Sequence, residues 1–317
     1  MTVEPLNIIK DVYKSISVFK KQGYETGYIG RTVLGSPIPY VKKGDGSYGG
    51  TLIFGAIHAR EYITAPLVTK MAENYSGKSA IYFVPVVDID GVALVTLGID
   101  AISAILDRPS SALNPLNPCF FYGEKGFEAY RASLPKRKVS DTAAYLIKIN
   151  GGGSDFRLWK ANVDAVDLNV NFDAGWGTGL QNTVYPAPAN YIGPYPESEP
   201  ETKALVNFTK QHDIITALCY HCKGEVIYYG YKNNAPYPEL AAMFSDATGY
   251  PLLSSQGSAG GYKDWFTEQF DSLSLTVEVG GEGNTYDELN DRFDQIYAAN
   301  ADVPTIADYA TRKILGL

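Results

Sequence analysis

The chain has few residues of the two types that most often bind metals, with three histidines and three cysteines among 317 residues. The cysteines, Cys119, Cys219 and Cys222, form an odd set, whereas a secreted disulfide framework normally has an even one. The amino terminus also lacks the basic segment followed by an apolar one that marks a signal peptide. Both absences predict a reducing, cytoplasmic location, unless a leader peptide has been removed.

Positive charge is in deficit, since 27 Lys and Arg residues face 35 Asp and Glu residues and the net charge is −8. Phosphate backbones are bound by clustered basic side chains, so a nucleic-acid partner is not expected. No run reaches the roughly 18 apolar residues that a membrane span requires, so a membrane protein is not expected either. The hydrophobic fraction of 45% is that of an ordinary globular protein.

Short apolar runs alternate with stretches of helical periodicity, which predicts a single α/β domain over residues 1–317. The expected architecture is a central mixed, largely parallel twisted sheet covered by helices on both faces. A helix is predicted at 63–75, and another is predicted to begin at a capping box, Ser198-Glu199-Pro200-Glu201, and to run to about Lys210. The clearest strands are predicted at 51–57, 81–87, 214–220 and 273–279.

The segment from about 100 to 150 has a different character from the rest of the chain. It is rich in Pro, Ser and Asn, contains the basic run Lys136-Arg137-Lys138, and has weak periodicity. Such a segment is typical of an excursion from the core, so we predict an insertion or a lid over the site.

Two of the three histidines follow predicted strands, His58 after 51–57 and His221 after 214–220. Ligand sites in open α/β sheets lie beyond the carboxyl ends of the strands. Glu61 follows His58 by three residues, and a catalytic zinc takes three such nitrogen or oxygen ligands and leaves a position for water. The pattern predicts one zinc ion held by His58, Glu61 and His221, although a His and a Glu three apart also fit an ordinary surface helix.

The remaining candidate metal ligands are interpreted as structural. His212 ends a predicted helix, where a cation interacts favourably with the helix dipole. Cys219 and Cys222 flank His221, but the sequence has no second cysteine pair to complete a four-thiolate site. Cys219, on a buried strand, is expected to behave as a small hydrophobe, and Cys222 is placed near the substrate.

Five ordered segments between about Ile29 and Gly283 stand out as motifs. They are Gly55-Ala56-Ile57-His58-Ala59-Arg60-Glu61-Tyr62-Ile63-Thr64, Asp88-Ile89-Asp90-Gly91, Asp167-Leu168-Asn169-Val170-Asn171-Phe172, Tyr220-His221-Cys222-Lys223-Gly224-Glu225 and Thr276-Val277-Glu278. Together they resemble the motifs of the zinc carboxypeptidases, the family of carboxypeptidase A. The resemblance implies a carboxypeptidase-like fold, a zinc metallopeptidase activity and a peptide substrate.

The resemblance also implies roles for two carboxylates. Glu278 would be the catalytic residue, taking a proton from the attacking water and passing it to the leaving amine. Asp167 would orient His58 through its second ring nitrogen. Taken alone, Glu278 equally fits a solvated residue on the polar face of a strand, and Asp167 fits an ordinary aspartate at a strand end.

The chain departs from the family where a carboxypeptidase binds the terminal carboxylate of its substrate with an Asn-Arg pair. Here the pair is Asn169-Val170, and valine cannot replace a guanidinium that binds a carboxylate bidentately. A conventional carboxypeptidase is therefore disfavoured. The family's oxyanion-stabilising arginine is also missing before Asp167, and the open candidates for its charge are Arg60, Arg157, Lys160 and Lys223.

Gly260-Gly261-Tyr262-Lys263-Asp264-Trp265-Phe266 is most similar to the branch of γ-D-glutamyl-meso-diaminopimelate peptidases, also called endopeptidase I, which cut bacterial cell-wall peptides. That similarity implies a muropeptide substrate, with Lys263 in the specificity pocket unless it is a solvated loop lysine. Arg60, Asn169 and Lys223 are further candidates for binding the substrate. The alternatives are a zinc carboxypeptidase or N-acyl amino acid deacylase, and a catalytically weak peptidoglycan-binding descendant.

Overall fold

The computed structural model describes residues 2–46, 49–107, 136–254, 257 and 259–317. Within these ranges eight strands form one sheet in the order β1-β2-β4-β3-β5-β8-β6-β7. The strands are β1 (Thr26–Arg31), β2 (Pro37–Lys43), β3 (Gly50–Phe54), β4 (Ile81–Val84), β5 (Ile214–His221), β6 (Val226–Tyr229), β7 (Leu252–Ser254) and β8 (Ser274–Glu278).

One described helix precedes the first strand, and the others lie in connections between strands or follow the last strand. They are α1 (Ile8–Lys21), α2 (Thr64–Asn74), α3 (Ile89–Leu97), α4 (Asp100–Leu106), α5 (Val139–Ile149), α6 (Pro200–Gln211), α7 (Pro238–Thr248), α8 (Tyr262–Phe270), α9 (Glu288–Asp291), α10 (Phe293–Asn300) and α11 (Val303–Ile314). Three short 3₁₀ turns, Pro5–Asn7, Ala59–Glu61 and Leu168–Val170, complete the described elements. None of the helices in the described ranges is both long and apolar enough to cross a membrane.

The centre of the sheet is parallel, and an antiparallel pairing flanks it on each side. Strands β4, β3, β5 and β8 run side by side in one direction. Antiparallel pairing joins β2 to β4 on one side and β6 to β8 on the other. The predicted mixed, largely parallel α/β fold is therefore confirmed.

Helices cover both faces of the sheet, as the contacts of β3 show. The hydroxyl of Thr51 lies 2.7 Å from that of Thr311 in α11, whereas the ring of Phe54 packs edge-on against Tyr262 in α8. Residues 51 and 54 point to opposite faces because side chains alternate along a strand. Both faces of β3 are completely buried.

The predicted strands at the centre of the sheet are confirmed, and three of the four, β3, β4 and β8, end earlier than expected. β4 stops at Val84, because Pro85 has no N–H to continue the ladder. β3 stops at Phe54, and the chain then turns through Gly55, where a Cβ would lie 2.8 Å from the carbonyl oxygen of Thr64. Only glycine allows this close approach, which brings the start of α2 against the end of β3.

The predicted capping box at Ser198 is wrong, although α6 does span Pro200–Gln211. The N-cap residue is Glu199, and it makes no side-chain cap. The hydroxyl of Ser198 donates to Glu199 Oε1 at 2.7 Å instead. Glu201 turns into the core, where its Oε1 accepts the N–H of Val33 at 2.8 Å. Tertiary hydrogen bonds have replaced the local ones.

The predicted insertion or lid falls mainly on residues 108–135, which lie outside the described residues. The described ends of the segment form α4 and α5, which pack against each other. Ile102, Ile105 and Leu146 are completely buried there. The two ends of the segment are therefore part of the core.

Four carboxyl groups, those of Asp88, Asp90, Glu199 and Glu201, are buried beneath the loop before β2. Burial raises the pKa of Asp88, Glu199 and Glu201, and the neighbouring carboxyl groups raise it further. The folded protein therefore resists ionisation of these groups, whereas the unfolded chain ionises them freely.

We expect Glu201→Gln to stabilise the protein increasingly as the pH rises. A raised folded-state pKa favours the native state most below the unfolded pKa of about 4.3, and this advantage is lost as the pH rises towards the folded value. Glutamine does not titrate and keeps an oxygen for the Val33 N–H. The Tm difference between variant and wild type should grow by about 1–3 °C from pH 5 to pH 8.

The control is Glu73→Gln, which removes a charge from a side chain that is 43% exposed in α2. A Tm difference for Glu201→Gln that is the same at both pH values, or that shrinks as the pH rises, would contradict the assignment.

Candidate active site

Three predicted ligands converge at the carboxyl edge of the parallel strands. Glu61 Oε1 lies 2.8 Å from His58 Nδ1, and Glu61 Oε2 lies 2.9 Å from His221 Nδ1. The two Nδ1 atoms are 3.1 Å apart. All three side chains are buried, and their donor atoms lie within 4.8 Å of one another. Residues separated by 160 positions therefore form one compact cluster.

The three side chains come together for different local reasons. His221 is the last residue of β5, while His58 is the N-cap of the 3₁₀ turn Ala59–Glu61 that follows β3. β3 and β5 pair in parallel, so their carboxyl ends share an edge. The 3₁₀ turn then carries Glu61 back towards His58, because the N–H of Glu61 donates to the carbonyl oxygen of His58 at 3.1 Å.

The donor set fits a zinc ion. The two Nδ1 atoms lie 3.1 Å apart and each also faces an oxygen of Glu61, so a single cation between them could contact all three side chains. Burial alone would raise the pKa of Glu61, but His58 and His221 outweigh it and hold this pKa below its usual range. The carboxyl group is therefore ionised. Two imidazoles and one carboxylate are a ligand set that catalytic zinc sites use.

The second ring nitrogen of His58 faces Asp167, as the predicted orienting role requires. His58 Nε2 lies 3.0 Å from Asp167 Oδ1, and Lys160 Nζ lies 2.7 Å from Asp167 Oδ2. Burial tends to raise the pKa of Asp167, but Lys160 and His58 outweigh it and lower this pKa well below its usual range. The ionised carboxylate favours the tautomer with hydrogen on Nε2, which leaves Nδ1 for the metal.

The second ring nitrogen of His221 faces a residue whose contact the sequence interpretation missed. Its Nε2 lies 2.8 Å from the thiol sulfur of Cys219, which was expected to be only a small hydrophobe. The signal was present in the sequence, because residues two apart on a strand share a face. Each candidate histidine ligand thus has a polar partner behind it.

Glu278 is the last residue of β8 and pairs directly with His221 in the register of the two parallel strands. It is half-buried rather than solvated. Burial raises the pKa of Glu278 to about 7, His221 opposes this rise, and the carboxylate of Glu61 adds to it. A carboxyl group with a pKa near neutrality can both accept and donate a proton.

The four candidate cations lie in different surroundings. Lys160 is bound to Asp167 with its side chain 17% exposed, and its charge lowers the pKa of Glu278. Arg60 also lowers that pKa. Arg157 pairs with Asp155 at 2.6 Å on the surface, and Lys223 Nζ donates to the carbonyl oxygen of Glu282. The structure therefore brings Lys160 and Arg60 into electrostatic range of Glu278.

Lys263 lies in the first turn of α8 and is only 4% exposed. Its Nζ donates to the carbonyl oxygen of Gly230 at 2.6 Å and lies 2.5 Å from Asp264 Oδ1. It is therefore not a solvated loop lysine, and an adjacent carboxylate balances its charge.

The start of α8 is attached to the segment that carries Asp167. Asn169 Oδ1 accepts the N–H of Tyr262 at 3.0 Å, and the N–H of Asn169 donates to Asp167 Oδ1 at 3.1 Å. A Cβ on Gly260 would lie 2.6 Å from the carbonyl oxygen of Val170, so glycine permits this contact. Hydrogen bonds thus link the α8 turn to the residue behind His58.

A buried site of two imidazoles and one carboxylate, with a further carboxyl group beside it at the edge of an α/β sheet, defines the class of zinc-dependent hydrolases. The comparison with protein families agrees with a zinc site of this kind. The family model described as zinc carboxypeptidase matches residues 20–302. The chain belongs to the zinc carboxypeptidase family of metallopeptidases.

Individual relatives support the assignment. The chain is 30% identical over 278 residues to γ-D-glutamyl-L-diamino acid endopeptidase 1 of Lysinibacillus sphaericus, covering 81% of this chain but only 60% of that protein's length. The fold of the present chain is similar to that of bovine thrombin-activatable fibrinolysis inhibitor, with a TM-score of 0.67 and 19% identity. The match covers 96% of this chain and 97% of the bovine one. Murein-tripeptide amidase MpaA from Escherichia coli O157 gives a TM-score of 0.52 at 20% identity, covering 86% of this chain and 90% of that one.

We expect Cys219→Ala to weaken zinc binding about 10- to 100-fold, the range seen when a partner behind a ligating histidine is removed. Cys219→Ser keeps a hydrogen-bonding atom and should recover much of the affinity. The measurement is competition for zinc against a chromogenic chelator.

Cys222→Ala is the matched control, because it removes the other buried thiol beside His221 and leaves the contact to Nε2 in place. Equal zinc affinity for wild type and Cys219→Ala would show that the contact does not support the ligand.

Proposed function

We propose that this protein is a peptidase of bacterial cell-wall peptides that hydrolyses the amide bond between γ-D-glutamate and meso-diaminopimelate. The observation that carries this proposal is the pair Lys263 and Asp264, whose opposite charges lie at the α8 turn linked to Asp167. Diaminopimelate carries an ammonium and a carboxylate at the end of its side chain. A cation and an anion side by side match that zwitterion.

The residue beside Asn169 supports the same choice. Val170 offers no guanidinium for a terminal carboxylate, so the binding mode of an ordinary carboxypeptidase is missing at this position. The relative from Lysinibacillus sphaericus is named for cleavage of γ-D-glutamyl-L-diamino acid bonds. Because this chain spans 60% of that protein's length, the shared activity is part of the proposal.

The reaction joins a water oxygen to the glutamyl carbonyl carbon and breaks the bond from that carbon to the diaminopimelate nitrogen. Zinc held by His58, Glu61 and His221 would supply the Lewis acidity for this hydrolysis. Glu278 accepts a proton from the attacking water and donates it to the departing nitrogen, which leaves as an amine. Burial raises the pKa of Glu278 above that of a free carboxyl group, which favours its return of the proton to the departing nitrogen.

Lys160 is our assignment for the cation that stabilises negative charge on the carbonyl oxygen. It is held in place by Asp167, is largely buried, and acts electrostatically on Glu278. A fixed charge in a site from which water is excluded stabilises a developing oxyanion far more than a solvated charge does. Arg157 and Lys223 are engaged with Asp155 and the Glu282 carbonyl instead.

The zinc-loaded protein should release diaminopimelate from L-Ala-γ-D-Glu-meso-diaminopimelate, and Glu278→Gln should lower kcat by about 10²- to 10⁴-fold because proton transfer is lost. Products are identified by mass spectrometry. Glu278→Gln should still bind about one zinc per chain, since Glu278 is not in the proposed ligand set.

A second peptide, blocked at its amino end and bearing a free C-terminal aromatic residue, is incubated in parallel. Cleavage of this peptide alone would identify an ordinary carboxypeptidase. Cleavage of neither peptide would favour a peptidoglycan-binding protein without activity.

Lys160→Gln should lower kcat about 10²- to 10³-fold, the usual effect of removing one oxyanion-stabilising group. Lys160→Arg keeps the charge and should retain more activity than Lys160→Gln. Zinc affinity is measured on the same samples, because Lys160 also contacts Asp167. A loss of zinc affinity that accounts for the whole loss of activity would limit Lys160 to a structural role.

A further inference from the structure

Arg60 lies beside the metal site with much of its hydrogen-bonding capacity unused. Its Nη1 donates to the carbonyl oxygen of Leu158 at 3.3 Å, and its guanidinium lies 5.2 Å from the ring centre of Tyr286. Its Nε is shielded from solvent and has no partner. Within the described ranges, no carboxylate lies within ion-pair distance of this guanidinium.

The position of Arg60 follows from the turn that holds Glu61. Ala59, Arg60 and Glu61 form a 3₁₀ turn, in which successive side chains point about 120° apart. Glu61 is buried among the histidines, while Arg60 is only half-buried. A metal ligand and a cation available to substrate are thus carried by consecutive residues.

The surroundings of Arg60 suit a carboxylate. Leu158 and Tyr286 restrain the guanidinium plane from two sides, so little freedom remains to be lost on binding. A guanidinium offers five N–H donors in a fork that matches the two oxygens of a carboxylate. An isolated, partly shielded positive charge is stabilised by such a partner.

In a γ-glutamyl peptide the α-carboxylate of the glutamate is free, and its carbon lies four carbon–carbon bonds from the scissile carbonyl carbon. It is the group that distinguishes a γ-linked glutamate from an α-linked one, whose α-carboxyl forms the peptide bond. We propose that Arg60 binds this free α-carboxylate and makes the enzyme selective for the γ-linkage. This assignment rests on the proposed function.

Arg60 and Lys263 are held by different segments of the chain. Lys263 is bound to Asp264 and Gly230, at the α8 turn linked to Asn169. Arg60 is bound to Leu158 and Tyr286. Because we assign Lys263 and Asp264 to the diaminopimelate side of the scissile bond, we assign Arg60 to the glutamyl side.

The test uses two peptides with the same scissile bond, L-Ala-γ-D-Glu-meso-diaminopimelate and its analogue with an amide in place of the glutamyl α-carboxylate. Wild type should prefer the free carboxylate in kcat/KM by about 10- to 100-fold, the value of a charge-assisted contact. Arg60→Gln should cleave both peptides at similar, low kcat/KM. Arg60→Lys keeps the charge without the fork and should show an intermediate preference.

Arg312→Gln is the control variant, because its guanidinium pairs with Asp308 on α11, and it should keep the full preference. Zinc content and Tm of each Arg60 variant show whether the neighbouring Glu61 is still in place. Cleavage by Arg60→Gln with the wild-type preference for the carboxylate would overturn the assignment and leave the proposed function intact.

Binding to Glu278→Gln, measured by calorimetry, separates recognition from turnover. The free-carboxylate peptide should bind more tightly than its amide, and the added Arg60→Gln change should abolish the difference. This result supports the role of Arg60 even if wild type cleaves neither peptide, in which case the proposed function alone fails. Equal binding of the two peptides to Glu278→Gln would overturn the role of Arg60.

Discussion

The parallel pairing of β5 with β3 on one side and β8 on the other determines where chemistry can take place. In this register His221 lies opposite Glu278, and Phe54 lies opposite Cys219. Because the side-chain period of a strand is two, a slip of one residue would turn His221 to the other face of the sheet. Packing on both faces resists such a slip, since Thr51 contacts one helical layer and Phe54 the other.

The two buried carboxylates beside the metal site belong to one connected chain of charged and polar groups. Glu61 is balanced by the two histidines, and Asp167 is balanced by His58 and Lys160. Removing one member would leave its partner as an uncompensated buried charge, which costs more than the pair contributes. The field at Glu278 is therefore set jointly by groups from three segments of the chain, and the site behaves electrostatically as one unit.

The sequence was informative wherever a local pattern decided the structure. The apolar run before His58 and the alternation around Glu278 predicted two strands correctly, although β3 ends at Phe54 and not at residue 57. The capping box at Ser198 failed because Glu201 is used by Val33, 168 residues away, and no local pattern encodes that contact. Cys219 was missed because its thiol was treated as apolar, although its spacing from His221 predicted a shared face.

The sequence could not predict which of the candidate cations lies near Glu278, because no local pattern determines their positions. Lys160 and Arg157 both lie in an irregular segment between α5 and the 3₁₀ turn at Leu168, where no periodicity assigns a direction to a side chain. Only the distances of Lys160 to Asp167 and of Arg157 to Asp155 separate a cation at the site from one at the surface.

The buried pair Lys263 and Asp264 is better explained by function than by stability. An ion pair of this kind seldom stabilises a fold more than apolar residues of the same volume would, because both charges lose their hydration. Burial in fact raises the pKa of Asp264, with Lys263 opposing the rise. In the proposed function, the ammonium and carboxylate of diaminopimelate bind Asp264 and Lys263, so every charge stays compensated as the substrate enters. The cost of burying the pair is then met during folding rather than at the binding step, which is the advantage of a preorganised site.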